Sequence, residues 1–329
     1  SEGSNEASMV ACLGGCCRWA AAFLVGVFAV IRGSMRCPVH PSAPDTSLAV
    51  GTNGWEQKLR DNLVEHGYAH VVGLLNRSDL LPVRHLAESF CYGDPRKALP
   101  LSYGGYSVPG FLNVSDFAGA QWLVDDARLH RALKAVFNGS KYRFASHNDV
   151  GCDFVGVWHK DVLRGAAAVH QRCDVWSPDT EGERHEIVKV MFYLQDHMHD
   201  EQALKVIPGS HVERKTTWER GYVALHPQIG DAVIFDQRLS HAGNTYYNPF
   251  GSGRLFMQVG FGRINRFTDE FERGTVERQE SLRSRLLKSI TPKGPLTVFA
   301  DIKFTALGAI MSALPPQLLN HFADKEVKT

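Results

Sequence analysis

Hydrophobic and polar positions divide the chain into a helical first part and a strand-rich second part. Apolar residues recur at helical spacing over about 55–66, 78–90 and 120–137, with Asn53 and Ser78 as expected N-caps of the first two helices. One strand is predicted over 68–75, and the Gly-, Pro- and Tyr-rich stretch 94–115 is predicted to be a loop. After Lys141, short alternating or apolar runs separated by turn residues predict strands over 142–146, 154–159, 187–194, 203–207, 232–235 and 254–264. Helices are predicted again over 271–290 and 304–322.

A different pattern precedes the first helix. Residues 19–31 form 13 uncharged positions between Arg18 and Arg32, which is shorter than the ~20 residues of a typical membrane span. This length suits a signal peptide or a short signal anchor, and the proline-rich stretch after it is typical of a linker. We therefore expect a leader over residues 1–50, a single folded domain over 51–329, and a secretory-pathway, membrane-anchored or organelle-targeted protein. The sequons at Asn76, Asn113 and Asn138 agree with this expectation.

Composition narrows the class of protein. The chain has 44% hydrophobic residues and a net charge of +1 from 36 basic and 35 acidic side chains. This balance argues against a nucleic-acid-binding protein, which usually shows a basic excess. The seven cysteines include no CxxC pair, so a zinc ribbon or redox dithiol is not expected. Cys152 and Cys173 either form a disulfide or are unpaired thiols.

The segment Trp158-His159-Lys160-Asp161 contains the first candidate chemistry. On a strand, residues two apart share one face, so His159 and Asp161 are placed to bind one divalent metal. A further histidine would complete a 2-His-1-carboxylate triad, which leaves positions open for substrate and oxygen on Fe(II). In a chain with 15 histidines such a pair is weak by itself. The upstream pair His147 and Asp149 is an alternative, and the polar cluster at 196–200 is interpreted as a connecting turn.

Three further stretches change this interpretation. Residues 203–211 read ALKVIPGSH, residues 230–244 read GDAVIFDQRLSHAGN with His241 near the end, and Arg254 follows on the next predicted strand. Together with the WHxD step, these motifs resemble the phytanoyl-CoA dioxygenase-like family of Fe(II)/2-oxoglutarate-dependent oxygenases over about residues 142–264. The loop between His241 and Arg254 is slightly longer than the usual family spacing.

The resemblance implies a mainly β fold with flanking helices, built on a double-stranded β-helix (a jelly roll of the cupin type). It divides the domain into a helical lead-in over 51–140, a jelly-roll core over 141–266 and C-terminal helices over 267–329. It implies Fe(II), 2-oxoglutarate and O2 as cofactors. The implied site residues are the iron ligands His159, Asp161 and His241, Arg254 for the distal carboxylate of 2-oxoglutarate, and His147 and Asn148 as polar contacts to the keto acid or substrate.

The expected reaction is oxidation of a C–H bond in a small organic substrate, with release of succinate and CO2. The insert 162–186, with Arg164, His170, Arg172 and Trp176, is expected to cover the site, and Lys189 and Gln195 are weaker candidates for contact. This mix of side chains suits a carboxylate- or phosphate-bearing substrate. The alternatives are a zinc-dependent hydrolase, which gives Arg254 no role, and a non-catalytic jelly-roll binding protein of the secretory pathway.

Overall fold

The computed structural model describes residues 44–94, 97–100, 105–153, 156, 158–163, 174–198, 203–215, 221–243 and 254–290. The apolar stretch at 19–31 and the helix predicted over 304–322 lie outside these ranges, as does much of the insert after Asp161. Among the helices in the described ranges, none is long and apolar enough to cross a membrane. Strand pairing already begins at residue 47, slightly upstream of the domain start expected at residue 51.

Within the described ranges, four α-helices flank the sheets: α1 (Trp55–Glu65), α2 (Arg77–Glu88), α3 (Ala127–Val136) and α4 (Arg266–Ile290). Helix α1 follows Gly54, which has a left-handed φ of 75°, so Asn53 is not its cap. The helix predicted over 120–137 is divided into a 3-10 segment, Ser115–Val124, and α3. The division falls at Asp126, whose side chain accepts hydrogen bonds from the first backbone amides of α3.

The strands form two sheets. They are β1 (Ser47–Ala49), β2 (Tyr68–Val72), β3 (Leu99–Pro100), β4 (Tyr106–Pro109), β5 (Tyr142–Cys152), β6 (Ile187–Tyr193), β7 (Leu204–Val206), β8 (Val223–Leu225), β9 (Ala232–Asp236), β10 (His241–Ala242) and β11 (Leu255–Arg263). Eight form the large sheet in the order β1-β2-β9-β6-β11-β5-β4-β3, and three form the small sheet in the order β10-β7-β8. This two-sheet arrangement with flanking helices confirms the predicted fold class.

Alternation along the strands assigns each face of the large sheet to a different layer. On β6, Val188, Val190 and Phe192 join the main hydrophobic core, which also contains the buried faces of α1, α2 and α3. The residues between them, Met191 and Tyr193, join a second cluster with side chains of the small sheet. The described part of the molecule therefore has a helical layer, a large sheet and a small sheet. A residue of β6 that lies on the same side of the strand as Met191 faces the space between the two sheets.

Three sequence-based predictions change around β5. This strand runs on to Cys152, beyond the predicted end at 146, because it pairs with β11 along most of its length. Two strands, β3 and β4, occupy the stretch predicted as loop, where β4 pairs with β5. Cys152 forms a disulfide with Cys91, with their Cα atoms 6.2 Å apart, so it is neither paired with Cys173 nor an unpaired thiol, the two alternatives that the sequence left open.

Candidate metal centre

A pair of backbone hydrogen bonds brings the two motif histidines together. His159 N donates to His241 O at 3.0 Å, and His241 N donates to His159 O at 2.9 Å. These two bonds form an isolated antiparallel bridge at His159, the last residue of the strand predicted over 154–159. Phe154, Val155 and Val157 of that predicted strand lie outside the described residues. Two segments far apart in sequence are thus fixed face to face.

The side chains of His159, Asp161 and His241 converge on one point. Nε2 of His159 lies 3.5 Å from Oδ1 of Asp161, and Nε2 of His241 lies 3.9 Å from Oδ2 of the same carboxylate. One potential ligand atom from each residue lies within 4.8 Å of the others, and no other such group occurs among the described residues. Asp161 begins a 3-10 turn, Asp161–Leu163, rather than continuing a strand. The turn still directs its carboxylate toward both imidazoles.

The surroundings of His241 prepare its Nε2 for a metal. Its Nδ1 lies 3.0 Å from the carbonyl oxygen of Leu239, so an Nδ1–H donates there and leaves Nε2 with a free lone pair. Burial lowers the pKa of His241 well below 6.5, and the nearby His159 lowers it further. The ring is therefore neutral at physiological pH, as metal binding requires.

Asp161 is ionised although it is enclosed. Burial alone would raise the pKa of this carboxyl, but the positive charge of Lys189 holds it well below 3.8, and a hydrogen bond from the His159 side chain lowers it further. Lys189 Nζ lies 2.7 Å from Asp161 Oδ2. A carboxylate and two neutral imidazoles fit Fe(II), because this donor set leaves further coordination positions open.

Arg254 lies in the same cavity at the start of β11. Its side chain is buried, and its guanidinium lies over the ring of Phe256 at 4.8 Å from the centroid. Gly243, two residues after His241, makes room for it, because a Cβ at position 243 would overlap Nη1 of Arg254. A planar guanidinium facing a cavity suits bidentate binding of a carboxylate.

The alternative pair, His147 and Asp149, lines the cavity from β5. Their side chains meet at 3.4 Å between Nε2 and Oδ2, but Arg278 of α4 forms an ion pair with the same Oδ2. The backbone amide of Gly110 also donates to Asp149 Oδ1 at 3.1 Å. No third metal-binding side chain joins this pair among the described residues, so the structure gathers a triad only around His159 and Asp161.

Asn148 lies on the opposite face of β5 from its two neighbours, as strand alternation requires. Its Oδ1 accepts from the amide of Leu112 at 2.8 Å, and its Nδ2 donates to the carbonyl of Ser146 at 2.8 Å. Its amide group therefore fixes the preceding loop and does not line the cavity, in contrast to its expected contact with the keto acid or substrate.

One wall of the cavity comes from α4, which sequence reasoning assigned no part in the site. Phe271, Thr275, Arg278 and Leu282 line the cavity, and their spacing of four, three and four residues places them on one helical face. This spacing was the signal that the sequence offered, but charged residues between these positions obscured it. Lys189, a weaker candidate from the sequence, lies directly against the triad.

Other candidates have structural roles. Lys160 is fully buried and its Nζ donates to the carbonyl oxygens of Ser210 and Arg238. Trp176 donates its indole N–H to the carbonyl of His211 at 3.1 Å. Asp196 pairs with Arg77 at 3.0 Å, which agrees with a polar turn. Arg164, His170 and Arg172 lie outside the described residues.

Comparison with known proteins agrees with the geometry. Residues 124–249 match the model of the family described as phytanoyl-CoA dioxygenase (PhyH). This part of the chain is therefore similar to the phytanoyl-CoA dioxygenase family. This match includes His159, Asp161 and His241, and the expected enzyme class, a 2-oxoglutarate-dependent oxygenase, is confirmed. Among curated proteins, none matches this chain.

Several solved structures are similar to part of this chain. The non-heme alpha ketoglutarate dependent epimerase SnoN from nogalamycin biosynthesis is 17% identical, with 63% of this chain and 81% of that chain covered and a TM-score of 0.47. HygX from Streptomyces hygroscopicus, with nickel and 2-oxoglutarate bound, is 17% identical over 62% of this chain and 87% of its own, with a TM-score of 0.45. AviO1 from Streptomyces viridochromogenes Tue57 is 15% identical, with 63% and 94% covered and a TM-score of 0.46.

Proposed function

We propose that this phytanoyl-CoA dioxygenase-like enzyme oxidises a C–H bond of a small organic substrate with Fe(II), 2-oxoglutarate and O2, and releases succinate and CO2. In this proposal His159, Asp161 and His241 hold the iron, and Arg254 binds the distal carboxylate of 2-oxoglutarate. The observation that carries the proposal is that three metal-binding side chains and a buried arginine line one cavity.

When bound, the iron supplies the oxidising chemistry with O2 and the keto acid. The chain's own residues bind, orient and exclude water. Leu239 fixes the tautomer of His241 through its carbonyl, and Gly243 leaves space for the guanidinium of Arg254. Met191, Leu204 and Phe256 line the cavity with apolar surface, which limits access of bulk water to the reacting groups.

The substrate is proposed to be a small molecule that carries a carboxylate or phosphate. Support for the anionic group comes from Arg278, which reaches the cavity wall from α4 and keeps 27% of its side chain exposed although it is paired with Asp149. His147, buried beside Asp149, is the proposed neutral partner on the same wall. Arg278→Gln is expected to weaken binding of anionic candidates relative to their uncharged analogues, measured by competition.

The test of the proposed function is consumption of 2-oxoglutarate. Protein loaded with Fe(II) is given 2-oxoglutarate and O2, with ascorbate as the reductant that replaces the unidentified substrate, and succinate is measured for wild type, Arg254→Gln and Arg263→Gln. Arg263 is a matched control, because it lies at the other end of β11 and forms a surface ion pair with Glu186 at 2.9 Å. We expect succinate from wild type and Arg263→Gln, and an increase of about 100-fold in the KM for 2-oxoglutarate in Arg254→Gln. Folded, iron-loaded wild type that forms no succinate would overturn the proposal.

A location in the secretory pathway, with residues 1–50 as a leader, is proposed for the domain over 51–329. The Cys91–Cys152 disulfide supports this location, because disulfides persist mainly in oxidising compartments. The three sequon asparagines, Asn76, Asn113 and Asn138, are all exposed and accessible to glycosylation. Mass spectrometry of protein from a eukaryotic host is expected to find glycan at these sites and no free thiol at Cys152. A free Cys152 without glycans would contradict this proposal.

A further inference from the structure

A lysine ammonium lies inside the candidate metal centre. Lys189 occupies β6 between two residues of the main core, so by alternation it points into the space between the sheets. Only 5% of its side chain is exposed, and its Nζ lies 2.7 Å from Oδ2 of Asp161. The same Oδ2 lies 3.9 Å from Nε2 of His241. The cation therefore contacts the carboxylate that also faces the proposed metal position.

The surroundings of Lys189 hold it in this place. The ring of Phe235 lies below its ammonium at 5.6 Å, and the same ring packs against the imidazole of His241 at 4.8 Å between centroids. Lys189 is opposite Gly260 on β11 and Phe235 on β9. Since two neighbouring strands and an aromatic ring enclose it, the lysine has little freedom to move away from Asp161.

The position of Lys189 changes the net charge of the site once a metal is bound. The ammonium of Lys189 already compensates the carboxylate of Asp161, and the two imidazoles are neutral ligands. A divalent ion bound here adds its full double positive charge to that of the Arg254 guanidinium in the same buried cavity, where uncompensated charge is costly. A dianion such as 2-oxoglutarate lowers that cost. Each ligand should consequently bind more tightly when the other is present.

Resting on the proposed function, we propose that Lys189 is a positioning residue that sets the balance between metal binding and keto acid binding. It lowers the affinity of the site for the metal cation and raises its affinity for the dianionic keto acid, while 2-oxoglutarate strengthens metal binding by a factor set mainly by the opposite charges of the two ligands. By thermodynamic reciprocity, metal strengthens 2-oxoglutarate binding by the same factor. A lysine that only supported Asp161 structurally would have the opposite effect, because its removal would weaken binding of metal alone.

The experiment measures Mn(II) affinity with and without 2-oxoglutarate, from the EPR signal of the free ion, so that no turnover is required. The variants are Lys189→Met, Lys189→Gln and the charge-retaining Lys189→Arg. Lys205→Met is the matched control, because Lys205 is also a buried lysine but is not among the residues that line the cavity. Thermal unfolding of each variant identifies those that are folded, and Lys189→Gln replaces Lys189→Met if the latter does not fold.

We expect Lys189→Met to bind Mn(II) about tenfold more tightly than wild type, and 2-oxoglutarate about tenfold more weakly, read from the 2-oxoglutarate concentration needed to tighten Mn(II) binding. Lys189→Arg and Lys205→Met should keep both affinities of wild type. If Lys189→Met and Lys189→Gln bind Mn(II) no more tightly than wild type, or 2-oxoglutarate no more weakly, the inference is overturned while the proposed function stands. If wild type binds neither Mn(II) nor 2-oxoglutarate, both the inference about Lys189 and the proposed function are overturned.

Discussion

Two His-x-Asp pairs line one cavity, and only one of them has the geometry of a metal site. His159 and Asp161 are joined by His241, whose backbone is hydrogen-bonded to that of His159. His147 and Asp149 meet at a similar distance, 3.4 Å against 3.5 Å, but the carboxylate is occupied by Arg278 and by the amide of Gly110. Asp161 also pairs with a cation, Lys189, so the comparison teaches that a third ligand brought in from another strand distinguishes a candidate metal site from a structural ion pair.

The largest effect is expected from removing a ligand of the first pair. His159→Ala should lower the rate of succinate formation by more than about 100-fold, because loss of a metal ligand exceeds the 10- to 100-fold cost of losing an outer partner. Metal content after dialysis should fall in parallel. His147→Gln, the matching change in the second pair, should retain bound metal. Loss of metal in His147→Gln but not in His159→Ala would reverse the assignment.

Removing the carboxylate of the second pair should affect stability instead. Asp149→Asn leaves Arg278 without its charged partner beside a buried amide, and we expect the free energy of unfolding to fall by about 3 kcal/mol. Urea unfolding measures this change. Asp269→Asn is the control, because Asp269 forms an exposed pair with Arg143 at 2.7 Å and should cost less than ~1 kcal/mol. Equal losses in both variants would show that the buried Asp149–Arg278 pair contributes no more to the free energy of unfolding than the exposed Asp269–Arg143 pair.

Arg254 lies at the end of the cavity that holds the first pair, and Gly243 leaves the space for its guanidinium. Gly243→Ala introduces a Cβ that overlaps Nη1 of Arg254, so the guanidinium must shift. We expect 2-oxoglutarate to bind on the order of 10-fold more weakly, measured by calorimetry with metal-loaded protein. Gly119→Ala is the control, since no atom lies within 4 Å of a Cβ at that position. Unchanged keto acid affinity in Gly243→Ala would argue against a role for Arg254.

The smallest effect is a pH dependence of the second pair. Burial alone would raise the pKa of Asp149, but Arg278 and His147 hold it well below 3.8. The stability from this depressed pKa is therefore fully present above pH ~4 and is lost as the pH falls below the unfolded-state value. The stability difference between wild type and Asp149→Asn should stay constant from pH 7 to about pH 5 and narrow below about pH 4. A difference that widens on acidification would contradict the sign of this shift.

The sequence predicted much of this arrangement because its signals were local. Alternation on β6, β9 and β11 placed those strands within a few residues of their bounds, and the WHxD and GDAVIFDQRLSHAGN stretches identified the three residues that the structure gathers. These signals depend on spacing along one segment. They need no knowledge of which strands pair.

Long-range partners were beyond such reasoning. The extension of β5 to Cys152 depends on pairing with β11, and the disulfide of Cys152 with Cys91 depends on the position of a segment 61 residues away in sequence. Likewise, the contact of Arg278 with Asp149 joins α4 to β5. Nothing near Asp149 in the chain indicates this partner, so the two His-x-Asp pairs differ mainly in contacts that the sequence does not display.

The central claim is that His159, Asp161 and His241, and not the second pair, form an iron site that accepts 2-oxoglutarate. Its most direct test is the visible charge-transfer absorption of the Fe(II)–2-oxoglutarate chelate in protein kept anaerobic. We expect the band in wild type and in His147→Gln, and its loss in His241→Ala. A band that persists in His241→Ala, or that is absent from folded, iron-loaded wild type, would contradict the account.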